Sequence, residues 1–147
     1  STGTFMDFGS GAGIPGIPLS LVCPDLGCVL VESIAKKCRF LSSIIESLGL
    51  SRATVLNTRM EDIAPSHDGG YDFVVTRATV TLSRFIILAS RFLRSGGSLV
   101  SVKGETIDDE LIELEKKIDH TLFHIDVRHP VPFERVRSGA VVVITKR

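Results

Sequence analysis

Three glycines, Gly9, Gly11 and Gly13, stand at every second position directly after the apolar run Phe5-Met6-Asp7-Phe8. Glycines so spaced let a chain turn with positive φ and bring bare backbone N–H groups close to a ligand. About twenty residues further on, Glu32 closes the next apolar run, Cys28-Val29-Leu30-Val31, where a carboxylate can accept both hydroxyls of a ribose. A glycine turn followed by such an acid points to a nucleoside-containing cofactor. The same residues also suit plainer roles, a tight turn and a solvated strand end.

The glycine spacing fits two cofactor patterns. Gly9-x-Gly11-x-Gly13 is the pattern of enzymes that use S-adenosylmethionine (SAM), and Gly11-x-Gly13-x-x-Gly16 also satisfies the dinucleotide fingerprint. Position favours the first, because the leading glycine should follow the strand at once, and that residue is Gly9. A pyrophosphate also needs free N–H donors at the helix start, and Pro15 and Pro18 each remove one. SAM carries no phosphate and loses nothing there.

The elements that must position these residues follow from periodicity. A strand through Phe8 leads into a helix from about Ile17 to Val22, stopped by Pro24. After the second strand, Ser33 to Leu48 reads as an amphipathic helix burying Ile34, Cys38, Leu41, Ile44, Ile45 and Leu48, with Gly49 as its stop. Ala53 to Asn57 and Tyr71 to Val75 are the third and fourth strands. The fourth delivers Thr76-Arg77-Ala78 to the carboxyl edge of the sheet, where open α/β folds bind ligands. Leu82 to Leu93 is expected as a helix closed by Gly96-Gly97, with Arg84, Arg91 and Arg94 along one flank. Ser98 to Lys103 is a fifth strand and Ile107 to Ile118 an acidic helix. Thr121 to Arg128 and Ala140 to Thr145 have no helix between them, so they pair as an antiparallel hairpin. The expected architecture is α/β and Rossmann-like, a mainly parallel seven-stranded sheet ending in that hairpin. This ending suits class I SAM-dependent methyltransferases better than dinucleotide folds, whose last crossover is helical.

With 147 residues and 17 basic against 17 acidic side chains, the chain is long enough for one core and is not coated in positive charge. No apolar run reaches membrane-span length. Cys23, Cys28 and Cys38 lack C-x-x-C spacing and read as reduced, buried hydrophobes of a cytoplasmic protein, with no metal. His120 and His124 read as solvated.

The motifs Asp7 to Leu19, Val31-Glu32-Ser33 with Lys36-Lys37 and Phe40-Leu41, Arg59-Met60-Glu61-Asp62, Thr76-Arg77-Ala78 and Val102-Lys103-Gly104 together resemble the RsmG family, also called glucose-inhibited division protein B. The resemblance implies methylation of N7 of a guanine in 16S (small-subunit) ribosomal RNA by SAM, on naked RNA or a ribosomal particle. It also implies that Gly9, Ile14, Met60, Glu61 and Arg77 contact the cofactor, beside Gly11, Gly13 and Glu32 of the turn and second strand. Arg77 is also the candidate catalytic residue, placed to meet the carboxylate end of the cofactor, a phosphate or the guanine edge. Lys36, Lys37, Lys103, Arg135 and Arg137 are the candidate phosphate contacts. Glu32 stands where the family more often has Asp, and Thr76 where it has Ser. Members carry a helical N-terminal extension, whereas this chain reads as one methyltransferase domain over residues 1–147, starting in its first strand without an initiator Met; truncation is the simpler explanation.

Two other classes stay open at this stage. An NAD(P)-dependent oxidoreductase would need a proton-transfer residue near a nicotinamide, and neither His nor Tyr lies at a strand tip. A non-catalytic RNA-binding domain would keep the basic residues and show no methyl transfer.

Overall fold

The computed structural model describes residues 3–77, 80–104, 107–129 and 139–147. Strands β1 (Thr4–Phe8), β2 (Gly27–Glu32), β3 (Ala53–Asn57), β4 (Tyr71–Arg77), β5 (Leu93–Lys103), β6 (Phe123–Arg128) and β7 (Ala140–Lys146) form one sheet in the order β3-β2-β1-β4-β5-β7-β6. The first five are parallel; β7 runs antiparallel to β5 and pairs antiparallel with β6. Strand order reverses between β1 and β4. A crevice opens at such a reversal, beyond the carboxyl ends of the strands.

Alternation along β1 feeds two cores. Phe5 packs with Leu30, Val75, Ile17 and Leu41 on the face covered by helices α1 (Gly16–Val22) and α2 (Ala35–Leu48). Met6 packs with Val74, Leu99 and Ile144 on the opposite face, under α3 (Leu82–Ala89) and α4 (Asp108–Lys117). Phe85, Phe92, Leu82 and Leu114 are fully buried there. Each such side chain contributes roughly 1.5–3 kcal/mol relative to an exposed one.

Several expectations need correction. The helix expected over Leu82 to Leu93 stops at Ala89, and a 3-10 turn, Ser90–Phe92, carries the chain into β5. Leu93 pairs with Tyr71 as strand, and Gly96-Gly97 lies inside β5, where the pairing with β4 slips between Tyr71 and Phe73. The reason is packing, since Phe92 and Leu93 are both buried and a continued helix would turn them out of register with that core. The supposed arginine flank does not form. Arg84 pairs with Glu61 at 3.2 Å, Arg91 with Asp68 at 2.5 Å, and Arg94 with Asp72. Ile34 and Leu48, expected on the buried face of α2, are 50% and 47% exposed because they sit at its two ends. Cys23 is half-buried, not buried. His120, paired with Glu115 in a turn, and His124 on β6 are both exposed, as expected.

Candidate functional site

Gly9, Gly11 and Gly13 have φ of 68°, 56° and 90°, so the turn after β1 uses the conformation that side chains resist. The turn is tied down from within. Ser10 N donates to Val31 O at 3.0 Å, Ser10 Oγ to Asp7 O at 2.9 Å, and Gly13 N to Ser10 O at 2.7 Å. Gly16 brings α1 against the sheet so closely that an added Cβ would lie 2.3 Å from Leu30 Cδ2.

Glu32 is only 6% exposed, at the tip of β2. Its Oε2 accepts from Gly11 N at 3.0 Å and its Oε1 from Ile34 N at 2.9 Å. One carboxylate thus joins the glycine turn to the start of α2. Each oxygen retains a further lone pair, so the group can still accept a diol. Asn57 Nδ2 donates to Glu32 O and Ser33 O, at 3.0 and 3.1 Å, and aligns the tips of β2 and β3.

Asp7 is 1% exposed, on the α1 side of β1. Its Oδ2 accepts from Gly16 N at 3.0 Å, while Oδ1 has no partner among the described residues. Burial pushes its pKa up to about 6; the Gly16 N–H, Ser10 and the positive charge of Arg77 oppose that shift.

These groups border a cleft of about 510 Å³ lined by Phe8, the glycine turn, Ile14, Glu32, Met60, Glu61 and Arg77. The volume suits a molecule of nucleoside size. The cleft brings together Gly9, Gly11, Ile14, Glu32, Met60, Glu61 and Arg77 of the expected cofactor set; Gly13 is buried behind the turn, where its added Cβ would meet Ile17 at 2.6 Å. Met60 is 2% exposed and belongs chiefly to the core, so it offers the cleft an edge of a fixed side chain. Glu61 is held by Arg84, and hydrogen bonding of its carboxylate, first to its own backbone N–H, keeps its pKa below the usual range.

The α1 N-terminus is already satisfied. Gly16 N goes to Asp7 Oδ2, Ile17 N to Gly13 O at 2.7 Å, and Pro15 and Pro18 have no N–H. These N–H groups are therefore spent within the protein and not left for a pyrophosphate.

Of the candidate phosphate contacts, Lys36 and Lys37 are exposed on the first turn of α2, and Lys37 lines the cleft. Arg135 and Arg137 lie outside the described residues. Lys103 is a correction. It is buried, and its Nζ donates to Val80 O at 2.6 Å and pairs with Glu110 at 3.0 Å. The reason is its position on β5, where strand alternation places it on the same face as buried Leu99 and Ser101. Ser33, Thr58, Arg59 and Val80 also line the cleft, beyond the contacts expected from the sequence. Arg59 was recognisable as the residue beside Met60 and Glu61 in the loop after the third strand. Among the described residues, no group of three His, Cys, Asp or Glu side chains converges on a possible metal position, and no helix is long and apolar enough to cross a membrane.

A family model described as GidB, rRNA small subunit methyltransferase G, matches residues 1–130. A Roseiflexus castenholzii protein named Ribosomal RNA small subunit methyltransferase G is 36% identical over 143 residues, which are 96% of this chain and 61% of the relative. A Stenotrophomonas maltophilia protein of the same name is 41% identical over 112 residues, 76% of this chain and 52% of the relative. The chain therefore spans less than two thirds of the length of these relatives. A solved structure, a SAM dependent methyltransferase from Aquifex aeolicus, superposes with a TM-score of 0.73 at 18% identity, covering 100% of this chain and 84% of that one. Likeness at that identity establishes the fold, which is the Rossmann-like methyltransferase fold with antiparallel final strands.

Proposed function

The chain belongs to the GidB family of rRNA small subunit methyltransferase G proteins, and from that membership we propose that it binds SAM in the cleft and methylates N7 of a guanine in small-subunit ribosomal RNA. The observation that carries the cofactor assignment is the start of α1, whose Gly16 N–H is taken by buried Asp7 and whose Ile17 N–H goes to Gly13 O, so that neither is left for a phosphate-bearing cofactor. A nucleoside without phosphate needs no such donors. A dinucleotide does. This weighs against the oxidoreductase reading.

The lining residues fit the group. Glu32, at the base of the turn, has lone pairs left for ribose hydroxyls, and the glycine backbone gives close approach. Met60 supplies an apolar edge for a flat base, while Ile14, 45% exposed, borders the opening. Arg77, at the carboxyl end of β4, faces the cleft where a cofactor carboxylate or an acceptor base would be oriented. When bound, SAM supplies a methyl group activated by an adjacent sulfonium.

Guanine N7 already carries a free lone pair, so no residue of this chain has to remove a proton from it. The chain's work is binding, alignment of the reacting atoms within about 3–3.5 Å, and exclusion of water. Exposed Lys37 and Lys36 beside it supply charge for phosphates. The substrate is ribosomal RNA, free or in a particle, met in the cytoplasm.

Calorimetry with SAM and with NAD, followed by transfer of labelled methyl from SAM to small-subunit RNA, tests the reading. We expect saturable binding of SAM, none of NAD, and label retained on a guanine. Binding of NAD alone would restore the oxidoreductase, and SAM binding without transfer would leave an RNA-binding module.

A further inference from the structure

Lys103 was expected to meet RNA phosphates, yet its side chain is 6% exposed and its ammonium is fully engaged inside the protein. Nζ donates to Val80 O at 2.6 Å and lies 3.0 Å from Glu110 Oε2 and 3.4 Å from Oε1. The same Oε2 accepts from Leu82 N at 3.0 Å. Three elements meet in this cluster: the tip of β5, the first turn of α4, and the backbone entering α3.

Leu82 is the first residue of α3, and a first-turn N–H has no partner within its own helix. Thr81 Oγ1 caps Arg84 N at 3.3 Å, which leaves Leu82 N to the Glu110 carboxylate. That carboxylate is 30% exposed, lies in the first turn of α4 and meets the N-terminus of α3, where negative charge is favoured. A buried ammonium, for its part, must be paired and hydrogen-bonded, so it ties Val80 O to Glu110.

Val80 lines the cleft. In the strand order β3-β2-β1-β4, the residues proposed for base and sugar follow β3 and β2, and the glycine turn follows β1. Val80 follows β4, at the end left for the methyl acceptor. Building on the proposed function, we infer that Lys103, acting with Glu110, is a positioning residue that fixes the acceptor-side wall of the cleft at Val80 and makes no contact with RNA. Its charge acts inward. Methyl transfer by alignment alone is sensitive to such a wall, since a misplacement of about 1 Å costs about 10²-fold in rate.

The test compares Lys103→Met and Glu110→Gln with the unaltered protein in three measurements: SAM affinity by calorimetry, kcat and KM for deproteinised small-subunit RNA with labelled SAM, and hydrogen exchange at the Leu82 amide. We expect SAM affinity within about twofold of the unaltered protein, kcat lower by about 10²-fold for Lys103→Met with KM for RNA little changed, and faster Leu82 exchange in both variants. Glu110→Gln, which keeps the shape and one acceptor oxygen, should give a smaller loss of the same kind and carries the test if Lys103→Met does not fold. A salt-dependent rise in KM with kcat intact would make Lys103 a phosphate contact and overturn the inference. So would a matching loss of SAM affinity and kcat, which marks general damage, or unchanged Leu82 exchange. If the unaltered protein neither binds SAM nor transfers methyl, the functional reading fails by itself, and Leu82 exchange still decides whether the pair holds this backbone.

Discussion

Asp7 Oδ2 accepts the Gly16 N–H at 3.0 Å, and a Cβ on Gly16 would lie 2.5 Å from that same oxygen. The helix and the first strand approach so closely that the hydrogen bond and the absent side chain are one feature. Gly16→Ala must push α1 away from Leu30 or break the bond. We expect a loss of roughly 1–3 kcal/mol in urea unfolding, typical of overpacking, and a matching loss of SAM affinity. An unchanged unfolding midpoint would show that α1 is free to shift.

The raised pKa of Asp7 makes stability depend on pH in a defined direction. Burial lifts the folded value to about 6 from an ordinary 3.8, so the folded state holds the proton more tightly. The stabilisation this gives is fully present below the unfolded value and is lost as pH rises through the folded one. Relative to Asp7→Asn, the unaltered protein should lose roughly 2–3 kcal/mol between about pH 4 and pH 6 and change little above that. Parallel stability curves for the two proteins across this range would remove the assignment.

Arg77 acts on the same carboxyl, because its positive charge favours ionised Asp7. Arg77→Ala should therefore move the Asp7 titration upward, visible in carboxyl carbon shifts by NMR. The variant should also bind SAM more weakly, by about tenfold if one charge-assisted hydrogen bond to the ligand is lost. Unaltered SAM affinity in the folded variant would take Arg77 out of the cofactor site.

Much of this was legible in the chain because it is local. Alternating strands and helices, the glycine turn, Glu32 at a strand end and the antiparallel last pair of strands all arise from neighbouring residues, and the structure has each of them. What could not be read depends on partners distant in sequence. Lys103 at a strand tip looks solvent-facing until Glu110 and Val80 O are placed beside it. Period two did put it on the face of Leu99, so its burial was readable even though its partners were not. Phe92 and Leu93 likewise fit a helical pattern, and only tertiary packing draws them into a turn and a strand. The occupation of the α1 N-terminus by Asp7 joins residues nine apart across a turn, beyond what helix signals report.

The three thiols should separate by reactivity. Burial pushes the Cys28 pKa up to about 12, and burial followed by the charge of Glu32 raises that of Cys38, whose Sγ donates to Glu32 O at 3.2 Å. Thiolate is the reactive form, so neither should react in the folded protein. Cys23 is half-buried at the end of α1. A disulfide reagent should modify one thiol quickly and the other two only at the rate of unfolding. Rapid loss of all three would mean that α2 opens readily over β2.

Salt dependence separates lysines that meet phosphate from lysines that do not. Lys36 and Lys37 are exposed on the first turn of α2, and Lys37 borders the cleft, whereas Lys103 is buried and paired. Each phosphate neutralised releases counterions, which steepens the fall of affinity with salt by about 0.7 per contact on single-stranded RNA and about 0.9 on a duplex. Replacing Lys37 with Gln should therefore lower the slope of log affinity against log salt by about that amount, and replacing both lysines by about twice as much. Lys103→Met should leave the slope unchanged. Fluorescence anisotropy with a labelled small-subunit RNA fragment reads all three slopes under one set of conditions. Equal slopes for Lys37→Gln and the unaltered protein would place the RNA on another face, and a reduced slope for Lys103→Met would mean that its ammonium leaves Glu110 when RNA binds.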